Sequence, residues 1–158
     1  MSIEKVRAYF RPLGREQDIL EFPVSSATVE LAAQAVGVIP ARIAKTLSFR
    51  DQEGSGCILI VAAGDARIDN KKYKATFHKK ASMPSADEVL EQIGHPVGGV
   101  CPFGIKPGIP VYLDESLKRF DIVYPAAGTG NSAVKLTIDE LYSCSEAVGW
   151  VDVCKLPE

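Results

Sequence analysis

The chain has 158 residues, 46% hydrophobic and 24% charged, with a net charge of −2. That length suits one compact domain over residues 1–158, and that charge balance argues against a dedicated nucleic-acid binder while leaving room for a local basic patch. A polar start, no long apolar run and four widely spaced cysteines without a C-x-x-C predict no signal peptide, no membrane span and reduced thiols in a cytoplasmic protein.

Residues 2–10 read as a helix, with Ser2 as N-cap and Ile3, Val6 and Phe10 on one stripe. Residues 18–24 read as an edge strand, because Pro23 lies inside the pattern. Ser25 and Ser26 are expected to cap a second helix running to Val36, closed by Gly37. The next stretch, 43–49, alternates as a strand does. Ile43, Leu47 and Phe49 share a face, and Lys45 shares it with them. An ammonium among apolar neighbours must leave water at a cost. Lys45 can snorkel to a sheet edge, pair with an acid, or line a cavity that receives an anionic or carbonyl-bearing ligand.

A polar turn over 51–56 joins this strand to the apolar run 57–63, which reads as a strand buried on both faces and completes a hairpin. Asp69 caps a helix over 70–77, a short strand follows at 79–83, and Ser85 opens a capping box for a helix to Ile93. Residues 95–108 are too rich in Gly and Pro to be regular. Strands are expected at 109–113, 121–125, 132–136 and 148–154, with a helical turn at 115–119, a Gly-rich turn at 128–131 and a capped helix from 137 to Tyr142. The sum is an α+β, mixed fold: a curled, largely antiparallel sheet approaching a barrel, with helices packed outside.

Several groups here have chemistry available. The stretch Gly98 to Gly104 and the turn Gly128-Thr129-Gly130-Asn131 can each present backbone N–H groups to an oxyanion, although a tight connection explains either as well. Cys101 with His95 permits a thiol-hydrolase reading, but no third group orients the histidine. The His and Cys spacings match no zinc site, so no metal is expected. Lys71, Lys72, Lys74, Lys79 and Lys80 make one local basic cluster, either a solvated face or a contact for a nucleic-acid backbone.

Three segments in order carry a likeness: Ser26-Ala27-Thr28-Val29-Glu30-Leu31-Ala32-Ala33 with Gly37-Val38; Ile43-Ala44-Lys45-Thr46-Leu47; and Gly98-Gly99-Val100-Cys101-Pro102-Phe103-Gly104. Together they resemble the YbaK/prolyl-tRNA-editing (ProX-like) family over residues 3–154. The resemblance implies a YbaK-like fold and a deacylase that hydrolyses the ester of mischarged tRNA, mostly tRNA(Pro) carrying Ala, Cys or a similar small residue. It implies no metal and no cofactor. It makes Lys45 the functional lysine and places substrate on Thr28, Thr46, Gly98, Gly99, Val100, Cys101, Pro102, Gly128, Gly130, Asn131 and Ser132. Many members have Ser at Cys101 and a basic residue at Asn131, positions that bear on amino-acid preference. The partners implied are the 3′ acceptor end of mischarged tRNA and prolyl-tRNA synthetase, with neither DNA nor membrane. A non-catalytic tRNA- or synthetase-binding module is the competing reading.

Overall fold

The hairpin of β2 (Ile43–Arg50) and β3 (Cys57–Ala63) forms the spine of the fold, paired antiparallel from Ala44↔Ala63 to Arg50↔Cys57. The structure, a computed structural model, describes residues 2–51, 53 and 55–157. All seven residues of β3 are buried, as its unbroken apolar run predicts. Parallel joins flank the hairpin. β3 pairs with β5 (Val111–Asp114), which pairs with β9 (Gly149–Val151); β2 pairs with β6 (Ile122–Pro125), which pairs antiparallel with β8 (Leu136–Thr137). The resulting sheet has the order β8-β6-β2-β3-β5-β9. Antiparallel pairing therefore holds the longest register in a mixed sheet.

The sheet curls where β7 (Ser132–Val134) pairs with β1 (Ile19–Glu21) and bridges back to Ala126 at the end of β6. Together these strands make a half-barrel. A separate ribbon joins β4 (Arg67–Ile68) to β10 (Cys154–Lys155). Helices α1 (Ser2–Phe10), α2 (Val29–Val36), α3 (Asn70–Phe77), α4 (Ala86–Ile93) and α5 (Ile138–Cys144) pack around this frame. Phe10 and Phe103 meet in the core with ring centroids 4.7 Å apart. Among the described residues no helix is long and apolar enough to cross a membrane.

Six local expectations need correction. The strand at 18–24 shrinks to β1, because Asp18 sits in a 3₁₀ turn and Pro23 offers no N–H. Helix α2 starts at Val29, three residues later than the serines suggest: the Ser26 N–H is tied to the Gly130 carbonyl at 2.6 Å, and Thr28 caps the helix by accepting from Leu31 N. Residues 79–83 form no strand; one backbone bond, Arg50 N to Ser82 O, joins them to β2. The run 132–136 splits at Lys135, whose N–H turns to Asp18 while the chain changes partner from β1 to β6. The run 148–154 splits likewise, since Asp114 captures the Val153 N–H at 2.9 Å and the chain leaves β5 for β4. Ser2, expected as the cap of α1, is instead its first helical residue, and part of the turn 51–56 falls on Gln52 and Gly54, outside the described residues.

Candidate active site

The join of β2 to β6 covers only Ile43 and Ala44. Past that point the edge of β2 opens onto a cavity of about 290 Å³, roofed by α2 and closed by the segment 97–100 and the start of β7. This volume lies at the small end of ligand sites. Val29 and Ala32 of α2 bring short side chains to the roof, so the helix lies close over Ile43 and Tyr124.

Lys45 is half-buried in the cavity wall. Its Nζ donates to the carbonyl of Gly64 at 3.4 Å and to that of Ala66. An ammonium has three donors, so one remains for the cavity. Burial lowers its pKa below the ordinary lysine value. Of the outcomes open at the sequence level, Lys45 therefore lines a cavity, and main-chain oxygens rather than a carboxylate hold it. The carbonyls are positioned by a close approach. A Cβ on Gly64 would lie 2.1 Å from Pro40 O and 2.7 Å from Val29 Cγ1, so only glycine lets the turn after β3 seat there. The same turn is held by Asp65, paired with both terminal nitrogens of Arg119 at 3.1 and 2.6 Å.

The two Gly-rich loops meet each other. A Cβ on Gly99 would fall 2.6 Å from the backbone of Gly128 and Thr129. On Gly98 or on Gly130, a Cβ would reach Ala27 Cβ at 3.4 Å. The approach to α2 is thus the point where both loops converge. Thr28, Thr46, Gly98, Val100 and Ser132 join Lys45 at the cavity wall. Ser132 Oγ lies 2.7 Å from Thr129 Oγ1. Among the described residues, the buried hydroxyls of two wall residues, Ser26 and Thr46, find no partner. Buried polar groups rarely lack one, so these two hydroxyls are free to hydrogen-bond within the cavity.

The other expected substrate residues stand elsewhere. Cys101 is fully buried with Sγ 3.6 Å from Phe103 O, so it belongs to the core and does not bound the cavity. Burial pushes its thiol up to about 12. His95 is also fully buried, with Nε2 2.7 Å from the same carbonyl, and burial lowers its pKa. A protonated thiol beside a neutral imidazole, both shut from solvent, is not an activated nucleophile. Pro102 faces a different, smaller cavity of about 180 Å³. Gly99, Gly128 and Gly130 act as loop-to-loop and loop-to-helix contacts, and Asn131 is exposed, its amide donating to Phe22 O at 3.2 Å. In the basic cluster, Lys72 is held by Asp152 and Cys154 O, and Lys79 by Asp51 O; Lys71, Lys74 and Lys80 are exposed. Among the described residues no group of His, Cys, Asp or Glu could hold a metal ion.

Sequence reasoning missed Ser26, which it took as a helix cap, and the carbonyls of Gly64 and Ala66. The available signal was Gly64 itself, a glycine ending an apolar run where no turn type demanded one.

The chain belongs to the aminoacyl-tRNA editing family: residues 24–144 match the aminoacyl-tRNA editing domain. Among individual relatives, an uncharacterized protein of Bacillus subtilis, YwhH, is 58% identical over 155 residues, covering 98% of each chain. The proline–tRNA ligase of Thermotoga maritima is 30% identical over 99 residues, 61% of this chain and 17% of the ligase. A crystal structure of a proposed trans-editing enzyme for prolyl tRNA synthetase superposes with a TM-score of 0.86 at 30% identity, covering 98% of this chain and 97% of that one.

Proposed function

We propose that this protein is a trans-editing deacylase, acting in the cytoplasm as one domain, that hydrolyses the ester of tRNA(Pro) carrying a small non-cognate amino acid such as Ala or Cys. The observation that carries the reading is the held ammonium of Lys45 in a small cavity with two unpartnered hydroxyls. Its likeness to a stretch of proline–tRNA ligases and to a proposed trans-editing enzyme for prolyl tRNA synthetase supports tRNA(Pro) as the substrate and the synthetase as the source of the error.

The cavity admits an aminoacyl group and the edge of its ribose, leaving the RNA outside. Water attacks the ester carbonyl, negative charge grows on its oxygen, and the bond to the ribose oxygen then breaks; one proton of the water ends on the ribose oxygen as its hydroxyl, the other passes to solvent, and the amino acid leaves as a carboxylate. Donors already aimed at the growing charge lower the barrier most. Lys45 serves there as a cation rather than a base, since a nearby phosphate or oxyanion raises the pKa that burial lowers. Ser26, Thr46 and Ser132 supply hydroxyls around the acyl group, and Val100 limits its size. Such a wall excludes large residues, but separates acyl groups differing by one methylene by only about 1–3 kcal/mol. No step in this reading needs a metal or cofactor.

The test is a deacylation panel of Ala-, Cys-, Ser- and Thr-charged tRNA(Pro) with a Pro-charged control, run on wild type and Lys45→Ala. Release of a small non-cognate residue, lost in the variant, is expected. Binding without release from any substrate would favour the non-catalytic module, and equal rates in both proteins would remove Lys45 from the chemistry.

A further inference from the structure

The surface beside Lys45 holds a second cationic feature that the deacylase reading does not use. In the ribbon of β4 and β10, Ile68 and Cys154 face inward as one register pair. Cys154 is buried. The neighbouring pair, Arg67 and Lys155, therefore points outward, and both residues are exposed. Like charges placed directly across an antiparallel pair oppose folding. Neither residue takes part in an ion pair among the described residues, although nine pairs form elsewhere among them. Three acids beside the ribbon are committed: Asp65 to Arg119, Asp152 to Lys72, and Asp69 to the N–H groups that start α3. Arg67 directly follows Ala66, whose carbonyl accepts from Lys45, and Lys155 is its register partner across the ribbon. Two further exposed cations, Lys71 and Lys74, follow on one face of α3. Cations thus run from the cavity, across the ribbon, onto α3 in a chain whose net charge is −2.

We propose that Arg67 and Lys155 form a phosphate-binding bridge leading from the cavity to Lys71 and Lys74, along which the sugar–phosphate backbone of the substrate's acceptor end lies. This rests on the deacylase reading for the identity of the RNA. The backbone supplies the counter-charge that the fold leaves out, and it supplies it at regular spacing.

Binding of uncharged tRNA(Pro) is measured by fluorescence anisotropy across a KCl series, for wild type, for Arg67→Ala/Lys155→Ala, and for the charge-preserving Arg67→Lys/Lys155→Arg. Each lost phosphate contact lowers the slope of log K against log salt by about 0.9 on duplex or about 0.7 on single strand. The alanine pair should therefore reduce the slope by about 1.4–1.8 and weaken binding about 25- to 60-fold at 0.1 M salt. The charge-preserving pair should retain the wild-type slope, and kcat at saturating substrate should hold in both. An unchanged slope in a folded alanine pair overturns the bridge, as does an equal loss in the charge-preserving pair. Should wild type release no amino acid from any charged tRNA, the deacylase reading falls while the binding series still decides this one.

Discussion

Gly64→Ala tests whether Lys45 works because its carbonyl partners are fixed. The added methyl would sit 2.1 Å from Pro40 O and 2.7 Å from Val29 Cγ1. The first obstacle is main chain and cannot rotate away, so the turn after β3 must move. Overpacking of this kind costs about 1–3 kcal/mol. At this chain length each kcal/mol lowers Tm by about 2–4 °C, so a fall of about 2–12 °C is expected in a thermal melt. From a stability of about 5 kcal/mol or more, such a loss leaves at least about 97% of the protein folded at 25 °C. Unfolding therefore accounts for only a few per cent of any lost activity. Displacement of the Gly64 and Ala66 carbonyls by a few tenths of an ångström to 1 Å re-aims the ammonium, and misplacement on that scale costs up to about 100-fold in rate. Single-turnover deacylation of the best substrate in the panel should fall about 10- to 100-fold in a protein that circular dichroism shows to be folded. A variant with lowered Tm and wild-type rate would refute the argument that the turn positions Lys45. One with wild-type Tm would refute the close approach itself.

Thr28→Ala removes the cap of α2, which costs about 1 kcal/mol; Tm should drop by about 2–4 °C, and Thr28→Ser should restore most of it. His95 should be neutral as the Nε2–H tautomer at about pH 7.5 and should titrate below an unfolded-chain histidine in a ¹⁵N NMR titration, because its Nε2 donates to Phe103 O and burial lowers its pKa. Its folded pKa lies below the unfolded value, so its contribution is intact above about pH 6.5 and stability falls as pH drops below that. A melting temperature that rises from pH 7 to pH 5.5 would contradict this sign. Iodoacetamide should leave deacylation unchanged and Cys101 unlabelled in the native protein by mass spectrometry, given a thiol pushed up to about 12 and shut from solvent; labelling of Cys101 with loss of activity would reinstate the thiol reading.

The strand periods, the capping boxes at Ser85 and Thr137, and the all-apolar β3 are local patterns, and each was legible because one residue's environment follows from its immediate neighbours. Lys45 was legible too, as a charge out of place in an apolar alternation. What holds it was not. Gly64, Ala66 and Arg119 lie 19, 21 and 74 positions away in the chain, and no period connects them. The same limit explains Cys101. A short motif names seven residues at once, but whether each faces the cavity or the core is set by how loop 98–102 presses on loop 128–132. Sequence alone identified the strand that carries the charge and the loops that carry the glycines. Only the tertiary structure decided which side chains of those loops face the cavity and which face the core, because that depends on contacts between segments that the chain order keeps apart.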